Sequence, residues 1–175
     1  MTAAMSGPLP ELHRPLALDR IPPHGFETEI TATAQECEAL AARLRIPAVE
    51  ALSCRFRLHK LPGGAVAADG GLHARVVQTC VVTLDDFPAE IDEAFRVRFV
   101  PAGTETDEED LTADPESDDE IPYEGVFIDL GEAAAEQLAL TLDPYPRSPG
   151  AVLPEAAADP GLLPFSLLAA LRRKN

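Results

Sequence analysis

The sequence predicts an α+β domain built on an antiparallel sheet that curls toward a barrel, with two or three helices and a disordered acidic loop. Three observations predict it. Neighbouring stretches alternate apolar and polar residues with a period of two and are separated by Gly- and Pro-containing turns. Two other stretches carry apolar residues at helical spacing and open on capping signals. Between Thr104 and Glu120 lie ten acidic residues and no basic one, a composition with too little to bury to order itself.

The elements follow in chain order. Residues 1–14 are Pro-rich and read as a flexible N-terminus, and 15–175 read as one domain with a mobile insertion at 104–120. A first short strand is expected over 15–19. From His24 to Ala32, Phe26, Thr28 and Ile30 alternate with Glu27, Glu29 and Thr31, a strand pattern. Thr33 with Glu36 forms a capping box and opens a helix over 34–45, with Cys37, Leu40, Ala41 and Leu44 at helical spacing and Pro47 beyond its end. Residues 51–61 read as a strand with Cys54, Phe56 and Leu58 on one side and Arg55, Arg57 and His59 on the other. Turns are expected at Pro62-Gly63-Gly64 and again at Asp69-Gly70-Gly71, with a short piece between them. From Leu72 the even positions are apolar through Leu84, broken by Gln78. Residues 91–100 alternate Phe95, Val97 and Phe99 with Arg96 and Arg98. Adjacent strands joined by tight turns predict an antiparallel meander.

After the acidic run, order is expected from Tyr123, with a short strand at 126–128. Asp129 caps a helix over 130–142, with Glu132 as its box partner and Leu130, Ala134, Leu138 and Leu142 on one face. Pro144, Pro146 and Pro149 stop that helix. A third, short helix is expected after Pro164, closing on Arg172, Arg173 and Lys174.

The chain of 175 residues carries a net charge of −16, of which the acidic run contributes −10. From Arg43 to Arg98, eight Lys and Arg face seven Asp and Glu, so the overall charge hides a near-neutral middle. Charge of this kind bears on solubility and on non-specific binding, not on fold. No apolar run reaches the roughly 20 residues of a membrane helix, and Met1 to Pro10 lacks the basic start and apolar stretch of a secretory signal. The three cysteines, Cys37, Cys54 and Cys80, are odd in number and widely spaced, which fits a reducing cytoplasm better than a disulfide framework. Neither membrane nor DNA is an expected partner.

Catalytic and metal signatures are not legible. His13, His24, His59 and His73 form no His-Glu-x-x-His pair, and the glycine pairs match no phosphate-binding fingerprint. The acidic run lacks the ligand spacing and central Gly of a calcium loop. No cofactor and no metal is expected. Cys80 falls on the apolar face of its predicted strand and reads as core packing. The residues with binding chemistry are Arg55, Arg57 and His59 on one strand and Arg96 and Arg98 on another, with Lys60 and Arg75 beside them. Guanidinium groups donate in a planar fork that suits phosphate. If the two strands share a sheet with one buried face, the arginines emerge together on the other. The basic tail, Arg172, Arg173 and Lys174, is a second candidate for RNA contact. The ordinary alternative is a solvated sheet face paired with Glu90, Asp92 and Glu93.

Gly71-Leu-His-Ala-Arg-Val-Val-Gln-Thr-Cys-Val-Val-Thr-Leu-Asp85 resembles the central motif of the YceD family. Phe127-Ile-Asp-Leu-Gly-Glu132, with Glu136-Gln-Leu-Ala-Leu140 and Asp143-Pro-Tyr-Pro-Arg147, resembles its second motif. The ending Pro164-Phe-Ser-Leu-Leu-Ala-Ala-Leu171 with its basic tail is similar to alphaproteobacterial members, and an acidic insertion between the motifs is typical. The resemblance runs from Pro15 onward. It implies a non-enzymatic factor in 23S ribosomal RNA accumulation or large-subunit assembly, acting by binding rRNA or a ribosomal precursor, with a basic ribosomal protein as a further partner. Many members carry Cys-x-x-Cys in the central motif. Here Thr83 stands at the second position, which weakens any metal or redox role. Two rivals stand beside this reading: an interaction adaptor that uses the acidic loop without touching RNA, and a hydrolase or nuclease with a site assembled from distant residues.

Overall fold

The computed structural model describes residues 10–103 and 119–152. Its strands are β1 (Pro15–Ala17), β2 (Phe26–Thr31), β3 (Ala48–Lys60), β4 (Val66–Thr79), β5 (Asp86–Pro101), β6 (Asp119–Tyr123) and β7 (Phe127–Asp129). Its helices are α1 (Ala34–Leu44) and α2 (Leu130–Thr141). The architecture is α+β, as the patterning predicts. A five-stranded sheet has the order β2-β3-β4-β5-β6, and β1 pairs with β7 in a separate two-stranded ribbon. The large sheet is open, with β2 and β6 as its edges, so the expected curl does not close a barrel. It is also not wholly antiparallel: β2 to β5 form the predicted meander, but β6 runs parallel to β5.

Parity organises the core. The even residues of β3 from Leu52, those of β4 and the odd residues of the C-terminal half of β5 are turned inward, so Leu52, Cys54, Phe56, Leu58, Leu72, Val76, Val97 and Phe99 are buried. Both helices lie on that side. Helix α1 contributes Cys37, Leu40 and Ala41, and α2 contributes Leu130, Ala133, Ala134, Ala135 and Leu138. The capping box of α1 is complete: Thr33 N donates to Glu36 Oε2 at 2.7 Å and Glu36 N to Thr33 Oγ1 at 3.3 Å. Asp129 caps α2 through Gly131 N at 2.9 Å and Glu132 N at 3.2 Å. Glu132 does not close the expected box. Its carboxylate takes both Arg43 nitrogens instead, at 2.9 and 2.6 Å.

Several boundaries differ from expectation, each for a physical reason. The predicted turn at Asp69-Gly70-Gly71 is absent, and β4 runs straight through it. Gly70 faces the core between Phe56 and Phe95, its register partners on β3 and β5. The two rings meet edge to face at 5.8 Å and 82°, a favoured aromatic geometry. A Cβ on Gly70 would stand 2.1 Å from the Phe95 ring. The glycine is there for the ring, not for a turn. Strand β4 ends at Thr79, so Val82 and Leu84 lie in the turn to β5, and Leu84 is 76% exposed. Gln78, the break in the alternation, keeps its inward position because its Nε2 donates to Asp143 O at 3.2 Å. Asp119 and Glu120, counted with the acidic loop, belong to β6. The remainder of that loop lies outside the described residues, as do the predicted C-terminal helix and the Arg172-Arg173-Lys174 tail.

Residues 11–14 of the expected flexible N-terminus are better anchored than their composition suggests, and residues 1–9 lie outside the described residues. Leu12 is completely buried, and its carbonyl approaches α2 so closely that a Cβ on Gly131 would stand 2.3 Å from it. Glu11 pairs with Arg43 at 2.9 Å, and Arg14 grips Glu36 through two contacts at 2.7 and 2.8 Å. Those contacts and the Thr33 amide hold the Glu36 carboxyl down to about 2. No helix among the described residues is long and apolar enough to cross a membrane.

The two adjacent glycines predict opposite substitution effects. Gly71 faces out, and nothing lies within 4 Å of the place a Cβ would take there. Gly70→Ala is expected to destabilise by about 1–3 kcal/mol through overpacking against Phe95. Gly71→Ala is expected to stay within about 0.5 kcal/mol of the parent. Urea denaturation of the two variants compares them, and equal losses would refute the assignment of Gly70 to the ring.

Candidate functional site

The face of the sheet opposite the core is uncovered among the described residues, and the cross-strand register lays its residues out in rows. Glu27, Arg57, Asp69 and Arg96 form one row from β2 to β5. Glu29, Arg55, Gly71 and Ala94 form the next, followed by Thr31, Ser53, His73 and Asp92. Arg75 lies further along, between Ala51 and Glu90. At the other end His59, Ala67 and Arg98 continue the face, with Glu120 of β6 opposite Arg98.

The arginines predicted to share a face therefore do so. Arg55, Arg57, Arg75, Arg96 and Arg98 all belong to it, as does His59. Lys60 does not. It has the parity of Leu58, stands opposite Val66, and reaches solvent only because it ends the strand.

The charges are interleaved, not segregated. Arg57 Nε donates to Glu27 Oε1 at 2.9 Å, and Arg55 stands 3.5 Å from Glu29. Arg98 is ion-paired with Glu120, Asp69 lies opposite Arg96, and His73 Nδ1 meets Asp92 at 2.8 Å. The pairs stand in water: the Arg55 and Arg57 side chains are 72% and 61% exposed. Exposed pairs of this kind contribute about 0–1 kcal/mol each, so they bias side-chain position and exchange readily with a ligand. Sequence alternation locates the arginines correctly. It does not reveal that β2 brings two carboxylates beside them, because that depends on a pairing register between distant segments.

Gly71 and Ala94 leave the β4–β5 half of the middle row almost without side chains. A depression of about 560 Å³ lies over them, lined also by Glu27, Glu29, Arg55, Arg57, His73 and Asp92. That volume is in the range of ligand pockets, ~300–1,000 Å³, although the depression is broad and shallow. Among the described residues no three His, Cys, Asp or Glu side chains are grouped to hold a metal ion.

Cys80 does not pack in the apolar core. It is shielded from solvent but lies outside the core cluster, in the turn after β4. Its Sγ accepts from Val82 N and Thr83 N, both at 3.4 Å. Ser148 closes the other side, and Val81 N donates to Pro146 O at 2.9 Å. The hydroxyl and amide donors of Ser148 and Thr83 lower the thiol to about 6, because hydrogen bonds to a thiolate favour the charged form. By contrast, burial pushes the Cys54 thiol up to about 12 and raises that of Cys37. Thr83 thus serves as a donor to Cys80.

A pH dependence follows. The folded Cys80 thiol ionises lower than a free thiol, whose value is about 8.5. Its stabilising contribution is complete above the unfolded value and is lost as pH falls through about 6. Stability of the parent relative to Cys80→Ala is expected to rise between pH ~6 and ~9. Urea denaturation in reducing buffer across that range measures the difference. A difference that does not change with pH would overturn the thiolate assignment.

The comparisons with known proteins bear on the same region. A family model described as large ribosomal RNA subunit accumulation protein YceD matches residues 68–161. No curated protein and no solved structure matches the chain. The matched stretch begins in β4 and includes β5 to β7, α2 and the Cys80 turn. The resemblance read from Pro15 onward is thus matched from Ala68, and β1, β2, α1 and β3 lie before it. The match covers more than half of the sequence, and the chain belongs to the YceD family.

Proposed function

We propose that the protein is a non-enzymatic factor in large-subunit ribosomal RNA accumulation that works as a binding platform, holding a basic protein component of a ribosomal precursor on the open face of its sheet. The family supplies the process. The observation that carries the mode of action is the matching of the face's arginines by Glu27, Glu29 and Glu120. Nucleic-acid binding draws its affinity from cations that exchange mobile counterions for phosphates. Here a phosphate must displace fixed carboxylates that remain nearby and repel it. A partner carrying exposed Lys and Arg must likewise compete with the resident arginines, but the six carboxylates of the face, Glu27, Glu29, Asp69, Glu90, Asp92 and Glu120, outnumber its five arginines. The depression is also too open to exclude water from a reaction, which favours binding over catalysis.

A second reading, direct contact with rRNA, is favoured by one observation: five arginines emerge on a single face. The test compares both partners on the full-length protein. Purified large-subunit ribosomal proteins and a large-subunit rRNA fragment are titrated at several salt concentrations against the parent and the R55E/R57E/R96E/R98E variant. Capture of a ribosomal protein, with weak RNA binding that the variant shares, is expected. Tight RNA binding with a slope near −0.7 per contact for single strands, lost in the variant, would transfer the function to RNA contact.

A further inference from the structure

Resting on that platform reading, we propose that the depression over Gly71 and Ala94 is the docking place of an extended Lys/Arg-rich segment of the partner protein. Its floor is backbone, because Gly71 has no side chain and nothing lies within 4 Å of where its Cβ would be. The row crosses the strands from Glu29 on β2 to Ala94 on β5 and is bare at Gly71 and Ala94. Four strands about 4.8 Å apart span roughly 14 Å, the reach of about four residues of extended chain. The rows on either side supply walls: Glu27, Arg57 and Asp69 on one, Ser53, His73 and Asp92 on the other.

The charge of the lining selects the occupant. Four carboxylates, Glu27, Glu29, Asp69 and Asp92, line the depression with only two arginines, Arg55 and Arg57; Glu93, opposite Leu72, has the inward parity. Both arginines already carry a carboxylate partner from β2. The surplus is therefore negative and lies with Asp69 and Asp92 on the β4 and β5 side. A cationic side chain entering there gains a carboxylate, and an anionic ligand gains nothing. The paired arginines have a separate use: they keep the Glu27 and Glu29 end from adding to a uniform negative field, so the depression has an acidic end and a balanced end. A segment with its cations clustered at one end fits that polarity.

The experiment uses the full-length protein and a synthetic decapeptide with three lysines at one end and alanines and serines at the other. Affinity is measured by calorimetry at low and near-physiological salt for the parent, Gly71→Leu and the D69N/D92N double variant, with thermal unfolding as a fold control. Gly71→Leu fills the floor and alters no charge, so it leaves attraction to the acidic 104–120 run intact. The expected result is binding by the parent, about tenfold weaker in each variant, with unfolding temperatures unchanged. Absence of binding, or equal affinity in Gly71→Leu, would overturn the docking place. If deletion of residues 172–175 raises the affinity and Gly71→Leu removes that gain, the chain's own basic tail occupies the depression, and the partner assignment falls. If the peptide ignores Gly71→Leu while ribosomal proteins are still captured, this docking place is wrong and the platform reading stands.

Discussion

Phe95 lying across Gly70 is the contact on which the rest of the sheet depends. It fixes β4 against β5 at the point where Phe56 of β3 reaches the same ring. A slip of one residue on any of the three strands would bring a side chain into the space the ring fills. It would also turn every inward residue outward, because strand side chains alternate. The long meander has few other features that define register so tightly. The apolar face is mostly Val, Leu and Ala, which tolerate exchange with one another. The outward rows of charge are a consequence of that register, not an independent design.

Where the chain's own chemistry was local, the sequence was a good guide. The Thr33–Glu36 box, the Asp129 cap and the inward parity of Cys54, Phe56, Leu58, Val97 and Phe99 are set by neighbours within a few residues. The readings that failed depend on partners far along the chain. Asp69-Gly70-Gly71 has turn composition, and only the arrival of Phe95 from β5 makes it strand. Leu12 sits in a Pro-rich stretch, and only α2 buries it. The same limit governed the site. Alternation placed the arginines on one face, but the carboxylates that answer them come from β2 and β6, so their electrostatic character was not visible along the chain. Cys80 illustrates it again, since its donors include Ser148, far from it in sequence.

Two polar clusters tie the periphery to this frame from opposite ends. At one end Arg43 joins Glu11 to Glu132, and Arg14 joins the N-terminal segment to Glu36, so α1, α2 and the segment before β1 are cross-braced. At the other end the Cys80 turn, Gln78 and the Pro146 carbonyl hold the chain that follows α2 against the end of β4. The stretch matched by the family model contains the second cluster and only Glu132 of the first. The earlier strands and α1 still complete the buried side of the sheet, so the matched stretch does not contain the whole core.

Strand β2 has a further consequence, for solubility. It is an edge of the large sheet, and its outer side has no strand beside it among the described residues. Such an edge is a template for another chain, and proteins blunt it with charge. Glu27 and Glu29 are the only ionisable groups on it, and both are turned to the open face. Their carboxylates therefore serve twice. They neutralise the arginines of β3, and they act as gatekeepers that keep two molecules from joining edge to edge. The same pair of side chains that denies the face a positive field also protects the protein from growing into a continuous intermolecular sheet.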